Sequence, residues 1–504
     1  MGTTPRAFRA LPPLAGFLLL GGLPPVLLAT GDHLLHRYAP GAVAAALTLV
    51  TLLPAVLAVL LVRGLRTPRA ERGEATAGLT VTEADQPELW RTVRELADGV
   101  GTRVPSRIVL TAEVDASVSE AVRLFGLLPG PLRLHLGVPL VQGLSEAQLR
   151  AVLAHELGHR ADAGTRFATL ALRARTHALR TVTRIGRRAD RAAARERIPS
   201  AYARLCLRST LAVARRQEYA ADAAAVRVAG RDATASALRE LPVLEAAFGF
   251  YRVNYAMLGS GAGLLPPRGE VFGGFGRMLS ARRLEMAGLR ADPSAGPSSP
   301  YDSHPPLADR VRRIEELPDD GRTHEARGAA LSLLYDPERI MTALEDTCLA
   351  DDLRHHERTR DWQELLDRTM AASLASSSTP LQRALALYTE DRPTIPALLR
   401  VIEDGGLWQL AKRLPVSDHA VDAQCRAFRA FVRPTLHKSL SSMALAELSA
   451  RSLLRWEFSW ERAAVPHLPP AADGTRTDLD AAVVSAVADA PDTAPLRALL
   501  TPGA

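Results

Sequence analysis

The chain reads as an α+β protein, mostly α-helical. A transmembrane helical hairpin is expected first, then a mixed domain with a small sheet, then an all-α region. Three observations predict this. Ala, Leu and Arg dominate while aromatics make up only 5%, a composition that favours helices. Two uncharged apolar stretches lie near the N-terminus, at residues 11–30 and 41–62. Short strand-like runs occur only between residues 107 and 136, flanked by helical periodicity. At 504 residues, two or three domains are expected. The boundaries fall at 1–70, 71–320 and 321–504.

Each apolar stretch is long enough to cross about 30 Å of hydrocarbon. The first is broken by Pro12, Pro13, Pro24 and Pro25, the second by Pro54 alone. Residues 31–40 are too few for a domain, so the pair reads as a hairpin. Arg6 and Arg9 precede it, and Arg63, Arg66, Arg69 and Arg72 follow it. The positive-inside rule then places both ends, and the following domain, in the cytoplasm of a multi-pass cell-membrane protein. A cleaved signal peptide ending near Ala29-Thr30 is the alternative. Arg6 stands where a myristoylation site needs Ser or Thr, which excludes that anchor.

Residues 63–79 read as a charged linker, Pro87 to Val100 as a helix and Arg107 to Thr111 as a strand. Val114 to Ser119 and Leu132 to Leu136 are further strand candidates. Ser145 and Gln148 have capping-box spacing, and Leu149, Val152, Leu153 and Leu157 follow at helical intervals. That helix carries His155-Glu156-Leu157-Gly158-His159. Histidines four apart lie on one helix face and can bind one metal ion, with Glu156 beside them as general base. A third ligand and an open position for water are then needed. Glu218 and Asp222, one turn apart, offer a carboxylate ligand and a carboxylate that fixes a ligand imidazole from behind. Alone this acidic pair reads as a solvated helix face. Coupled to the upstream motif it completes a His-His-Glu set.

These motifs, together with Ser303-His304-Pro305-Pro306-Leu307-Ala308-Asp309-Arg310, resemble the HtpX-like integral-membrane zinc metallopeptidases. That family is of the gluzincin type and is related to the CAAX prenyl proteases. Pro87-Glu88-Leu89-Trp90 and the strand at Arg107 also fit, and the resemblance covers roughly residues 80–317. It implies a zincin-type catalytic domain with one Zn2+ per chain, held by His155, His159 and Glu218. Asp222 would stand behind them and Glu156 would act as base. The expected activity is endoproteolysis of membrane-associated or misfolded proteins near the cytoplasmic membrane face. An edge strand would hold the substrate. Where the family has an Asn-Ala-like element, this chain has Asp115-Ala116-Ser117. His304 would donate to the oxyanion, bind zinc in a resting state, or only anchor the Pro-rich turn. CAAX processing fits less well, since the many spans that enclose such a chamber are lacking. The rival reading is a membrane-bound sensor or scaffold with a structural zinc site, acting through its C-terminal helices.

The net charge of +7 comes from scattered arginine with no nucleic-acid fold signature, so no nucleic-acid partner is expected. Cys206, Cys348 and Cys425 form no Cys-x-x-Cys pair, which argues for a reducing compartment and against a cysteine metal site. Arg166, Arg173, Arg180, Arg184, Arg187, Arg191 and Arg195 fall on one arc of a basic amphipathic helix. Its basic face is either simply solvated or turned to anionic lipid headgroups. The Gly-rich run 259–276 and the Pro/Ser-rich run 292–306 read as loops around a short helix at 277–289. They either cover the zinc site or are surface connections. Beyond residue 320, breaks are expected at 377–380, 391–393 and 405–406, with Trp362, Trp408, Trp456 and Trp460 packing a helical core. His355-His356 reads as a helix-surface pair, and 466–477 as a linker before one terminal helix. For this region a protein partner is expected, either a regulator or a presented substrate.

Overall fold

A computed structural model describes residues 77–120, 130–161, 197–291, 305–321, 329–376, 379–414, 426–468 and 478–500. The two apolar stretches, the arginine stripe at 166–195 and His304 lie outside the described residues. Among the described residues, no helix is long and apolar enough to cross a membrane. The described chain is mostly helical with a small sheet, as an α+β class requires.

Two compact units divide it. One contains Arg283–Cys348 and the residues up to Gly249, and the other contains Phe250–Arg282 and Leu349–Ala504. In the first unit, strands β1 (Gly78–Val81), β2 (Arg107–Thr111), β3 (Ala116–Glu120) and β4 (Leu132–Gly137) form one sheet in the order β1-β2-β4-β3. β2 and β4 run parallel, while β1 and β3 pair antiparallel and are the edge strands among the described residues. β1 lies partly in the expected linker. It is only four residues long and owes its conformation to pairing with β2, a non-local contact invisible in its own pattern.

Helix α1 (Pro87–Val100) begins with Pro at its first turn and ends at Gly101, whose φ of 82° supplies the left-handed cap. Its Leu89, Val93 and Leu96 are fully buried. The capping box opening α2 (Glu146–Ala161) is present in both directions: Gln148 N–H donates to Ser145 Oγ at 3.2 Å and Ser145 N–H to Gln148 Oε1 at 2.9 Å. Helix α3 (Arg197–Ala229) packs closely on α2. Gly158 makes this approach possible, since a Cβ there would meet Ala224 Cβ at 3.1 Å and Ala221 Cα at 3.3 Å. Helices α4 (Arg231–Tyr251) and α5 (Leu307–Glu315) share an apolar patch of Ala235, Leu238, Val311 and Ile314. This patch fixes the roll of α5 and so the place of Arg310.

The unit extends past residue 320. Ala330 N–H bonds Leu144 O at 3.0 Å, and Gln86 exchanges two bonds with the Tyr335 backbone, at 2.9 and 2.7 Å. Helix α6 (Pro337–Cys348) packs on β1 and β2.

In the second unit, the Gly-rich run is not a loop throughout. It forms a helix over Glu270–Ala281 that buries Val271, Phe272, Phe275 and Met278. Burial on one helix face outweighs the low propensity of its glycines. Gly274 is required there, because a Cβ would lie 2.6 Å from Tyr251 Oη and 2.9 Å from Trp362. Tyr255 stacks on Trp460 at 5.1 Å, and Trp362 on Phe458 at 5.6 Å. The expected breaks separate helices Trp362–Ser376, Pro380–Thr389, Ile395–Glu403 and Leu407–Ala411. Trp408 and Trp456 pack on the helical core. His355 is exposed in a short 3-10 turn, and His356 Nε2 lies 3.1 Å from Ser260 O. A hairpin of Arg455–Glu457 with Val465–His467 stands where the linker was expected to begin, and the terminal region holds two helices, Leu479–Ala486 and Ala494–Leu500.

Candidate metal centre

α2 places His155 and His159 one turn apart on the face turned to α3. Their Nε2 atoms approach to 3.1 Å with the rings nearly perpendicular. α3 brings Glu218 between them. Its Oε2 lies 3.6 Å from His155 Nε2 and its Oε1 3.6 Å from His159 Nε2. Four ligands at about 2.1 Å from a zinc ion stand about 3.4 Å apart along each tetrahedral edge. The three side chains match that spacing, and among the described residues they form the group able to hold a metal ion.

Asp222, one turn after Glu218, accepts from His155 Nδ1 at 3.0 Å. That bond turns the His155 Nε2 lone pair toward the shared point. Arg310 of α5 closes the back of the site. Its Nε and NH2 donate to Asp222 at 2.9 and 2.6 Å, and its NH1 lies 3.5 Å from Glu218 Oε2. Glu218, Asp222 and Arg310 are all buried. Burial alone would lower the His155 pKa, but Asp222 and Glu218 outweigh it and push it up to about 9. Burial likewise opposes the charge of Asp222, and His155 and Arg310 overcome it, so its carboxyl stays below the usual range. Glu156 is half-exposed and near enough to act electrostatically on both His155 and Arg310. Three carboxylates, Glu156, Glu218 and Asp222, thus act electrostatically on one guanidinium. With the His155 ring neutral, as a metal ligand must be, the excess of two negative charges suits a divalent cation.

The family model for peptidase family M48 matches residues 83–318. The segment that carries the candidate site is thus similar to peptidase family M48. That similarity supports a metallopeptidase, whose substrate would be protein or peptide, and peptidases of this family use zinc. No curated protein and no solved structure matches the chain.

In this segment the sequence-predicted residues divide into three groups. His155, His159, Glu218 and Asp222 come together as described. Asp115, Ala116 and Ser117 stand at the start of the edge strand β3, which packs beside α2. Burial pushes the Asp115 carboxyl up, against bonds from Ala116 N–H and the Ser117 hydroxyl. His304 lies outside the described residues. Two arginines were not singled out for a role in the sequence. Arg310 entered only within a motif, and its buried pairing with Asp222 spans 88 residues. Arg160, next to the metal-site histidine, donates from Nε to Val118 O of β3 at 3.1 Å and again from NH2. Its position after the H-E-x-x-H run was the one available signal.

Proposed function

We propose that this chain is a membrane-anchored zinc endopeptidase that hydrolyses membrane-associated or misfolded proteins. The observation that carries the reading is the convergence of His155 Nε2, His159 Nε2 and the Glu218 carboxylate at zinc-ligand spacing. Bound zinc would supply Lewis acidity toward the scissile carbonyl and a water of lowered pKa. His155, His159 and Glu218 would hold it. Asp222 keeps the His155 ring oriented, and Arg310 keeps Asp222 ionised. Glu156, on the same helix and outside the ligand set, takes the proton of the attacking water and delivers it to the leaving amine. No side chain becomes covalently attached to the substrate. The open edge of β3, beginning at Ala116, pairs with an extended substrate backbone. Asp115 lies at the head of that strand in place of an amide side chain.

Membrane anchorage rests on the apolar stretches 11–30 and 41–62 and the arginines around them. The test of the whole reading is casein cleavage by the full chain in detergent. Activity should vanish on chelation and return with one equivalent of zinc. Cleavage that survives complete removal of metal would overturn it.

A further inference from the structure

We infer that Arg160 limits the length of substrate that the β3 edge can bind, by occupying one of the edge's backbone acceptors. The inference rests on the proposed role of β3 as substrate strand.

The ladder fixes which groups of β3 are open. Gly137 N–H donates to Asp115 O at 2.7 Å, so Asp115 turns its backbone groups toward β4. In an antiparallel pair the inward-bonded residues alternate. With the register Ala116↔Leu136, Ser117↔His135 and Val118↔Leu134, Ser117 shares the inward set. Ala116 and Val118 therefore point their N–H and C=O away from β4, to the side that no described strand pairs with. A substrate strand pairing there would use Ala116 first and Val118 two residues further on.

Val118 O is not open. The Arg160 guanidinium covers it with two donors, Nε at 3.1 Å and NH2. Arg160 directly follows His159, so the residue that caps the edge is carried by the helix that carries the metal ligands. A guanidinium held on a carbonyl by two bonds is not displaced by a single neutral amide, because bonds from a charged donor are roughly twice as strong. The substrate backbone is then registered by Ala116 and released before it reaches Val118 O. Arg160 is a positioning residue: it acts on where the strand stops, not on the bond being cut.

The test uses the zinc-loaded full chain in detergent and a casein-derived peptide that the wild type cleaves. The peptide is N-methylated at one backbone position at a time on the side that pairs with β3. In the wild type, one position should be sensitive, the residue donating to Ala116 O. In Arg160→Ala a second sensitive position should appear two residues along. The unmethylated peptide should gain about threefold to tenfold in kcat/KM, the worth of one backbone hydrogen bond. Zinc content is measured in parallel to show that the variant keeps its site. Two sensitive positions already in the wild type would overturn the inference and leave the edge-strand reading intact. A uniform loss in Arg160→Ala with zinc retained and no second position would overturn it too, leaving Arg160 a purely structural brace. No sensitive position in either protein would remove the edge-strand reading itself, and the inference with it.

Discussion

Replacing Arg310 by Met tests whether the metal site is an electrostatic balance or only a set of well-placed donors. Met occupies similar volume without charge. In the native site the guanidinium holds Asp222 at 2.9 and 2.6 Å and stands 3.5 Å from Glu218. All three groups are buried. Without Arg310 two carboxylates one turn apart share a buried site, and His155 is left to compensate. Breaking a buried ion pair by removing one partner costs about 3–5 kcal/mol. In a domain of this size each kcal/mol moves Tm by about 2–4 °C, so the metal-free peptidase unit should melt about 6–20 °C lower. A divalent ion brings positive charge to the same place, so the zinc-loaded variant should recover most of the loss. Scanning calorimetry of Arg310→Met and wild type, each metal-free and zinc-loaded, measures both quantities. A metal-free Tm within ~2 °C of wild type would refute the reasoning, since that is less than about 1 kcal/mol. An equal fall in both metal states would refute the charge-balance part.

Three further outcomes follow. Asp222→Ala should weaken zinc binding by about 10–100-fold, as loss of a residue supporting a ligand does, whereas Glu218→Ala should abolish activity and bind zinc far more weakly; chelator competition ranks the two. His155 has its pKa raised to about 9 in the metal-free fold. Its protonated form therefore stabilises that fold fully below its ordinary pKa of about 6.5, and this contribution is lost as pH rises through about 9. Zinc needs the neutral ring, so zinc affinity should climb about tenfold per pH unit from 7 to 9 and then level off, and a flat profile would contradict the assignment. Ending the chain after residue 320 removes the buried Leu333, Leu334, Ile340, Met341 and Leu344. At about 1.5–3 kcal/mol each this rivals the whole stability of a domain, so soluble, zinc-binding protein should not be recovered.

What the sequence made legible was local. Pro87 and Gly101 mark the ends of α1, and the Ser145/Gln148 box marks the start of α2, because caps depend on residues a few positions apart. The paired histidines and the Glu218-Asp222 spacing were readable for the same reason: a helix turn fixes which side chains share a face. What stayed hidden depended on distant partners. Four residues of β1 carry no pattern of their own. The helix at 270–281 looked like a loop because its glycines are visible in sequence and the Tyr251 and Trp362 rings that need Gly274 are not. The inclusion of residues 329–348 in the peptidase unit rests on Gln86 and Leu144, more than 180 positions earlier. Arg310 looked like any helical arginine until α5 was set on α4 by Val311 and Ile314.

The central claim is that Glu156 performs the proton transfers at a zinc ion held by three other side chains. Glu156→Gln separates these roles, since it leaves the ligands and the helix intact. Zinc content and casein cleavage, measured side by side on this variant and the wild type, test it most directly. The account predicts one zinc per chain in both proteins and a loss of at least about a hundredfold in rate for the variant. A Glu156→Gln protein that cleaves casein as fast as wild type, or a wild type that binds no zinc, would contradict it.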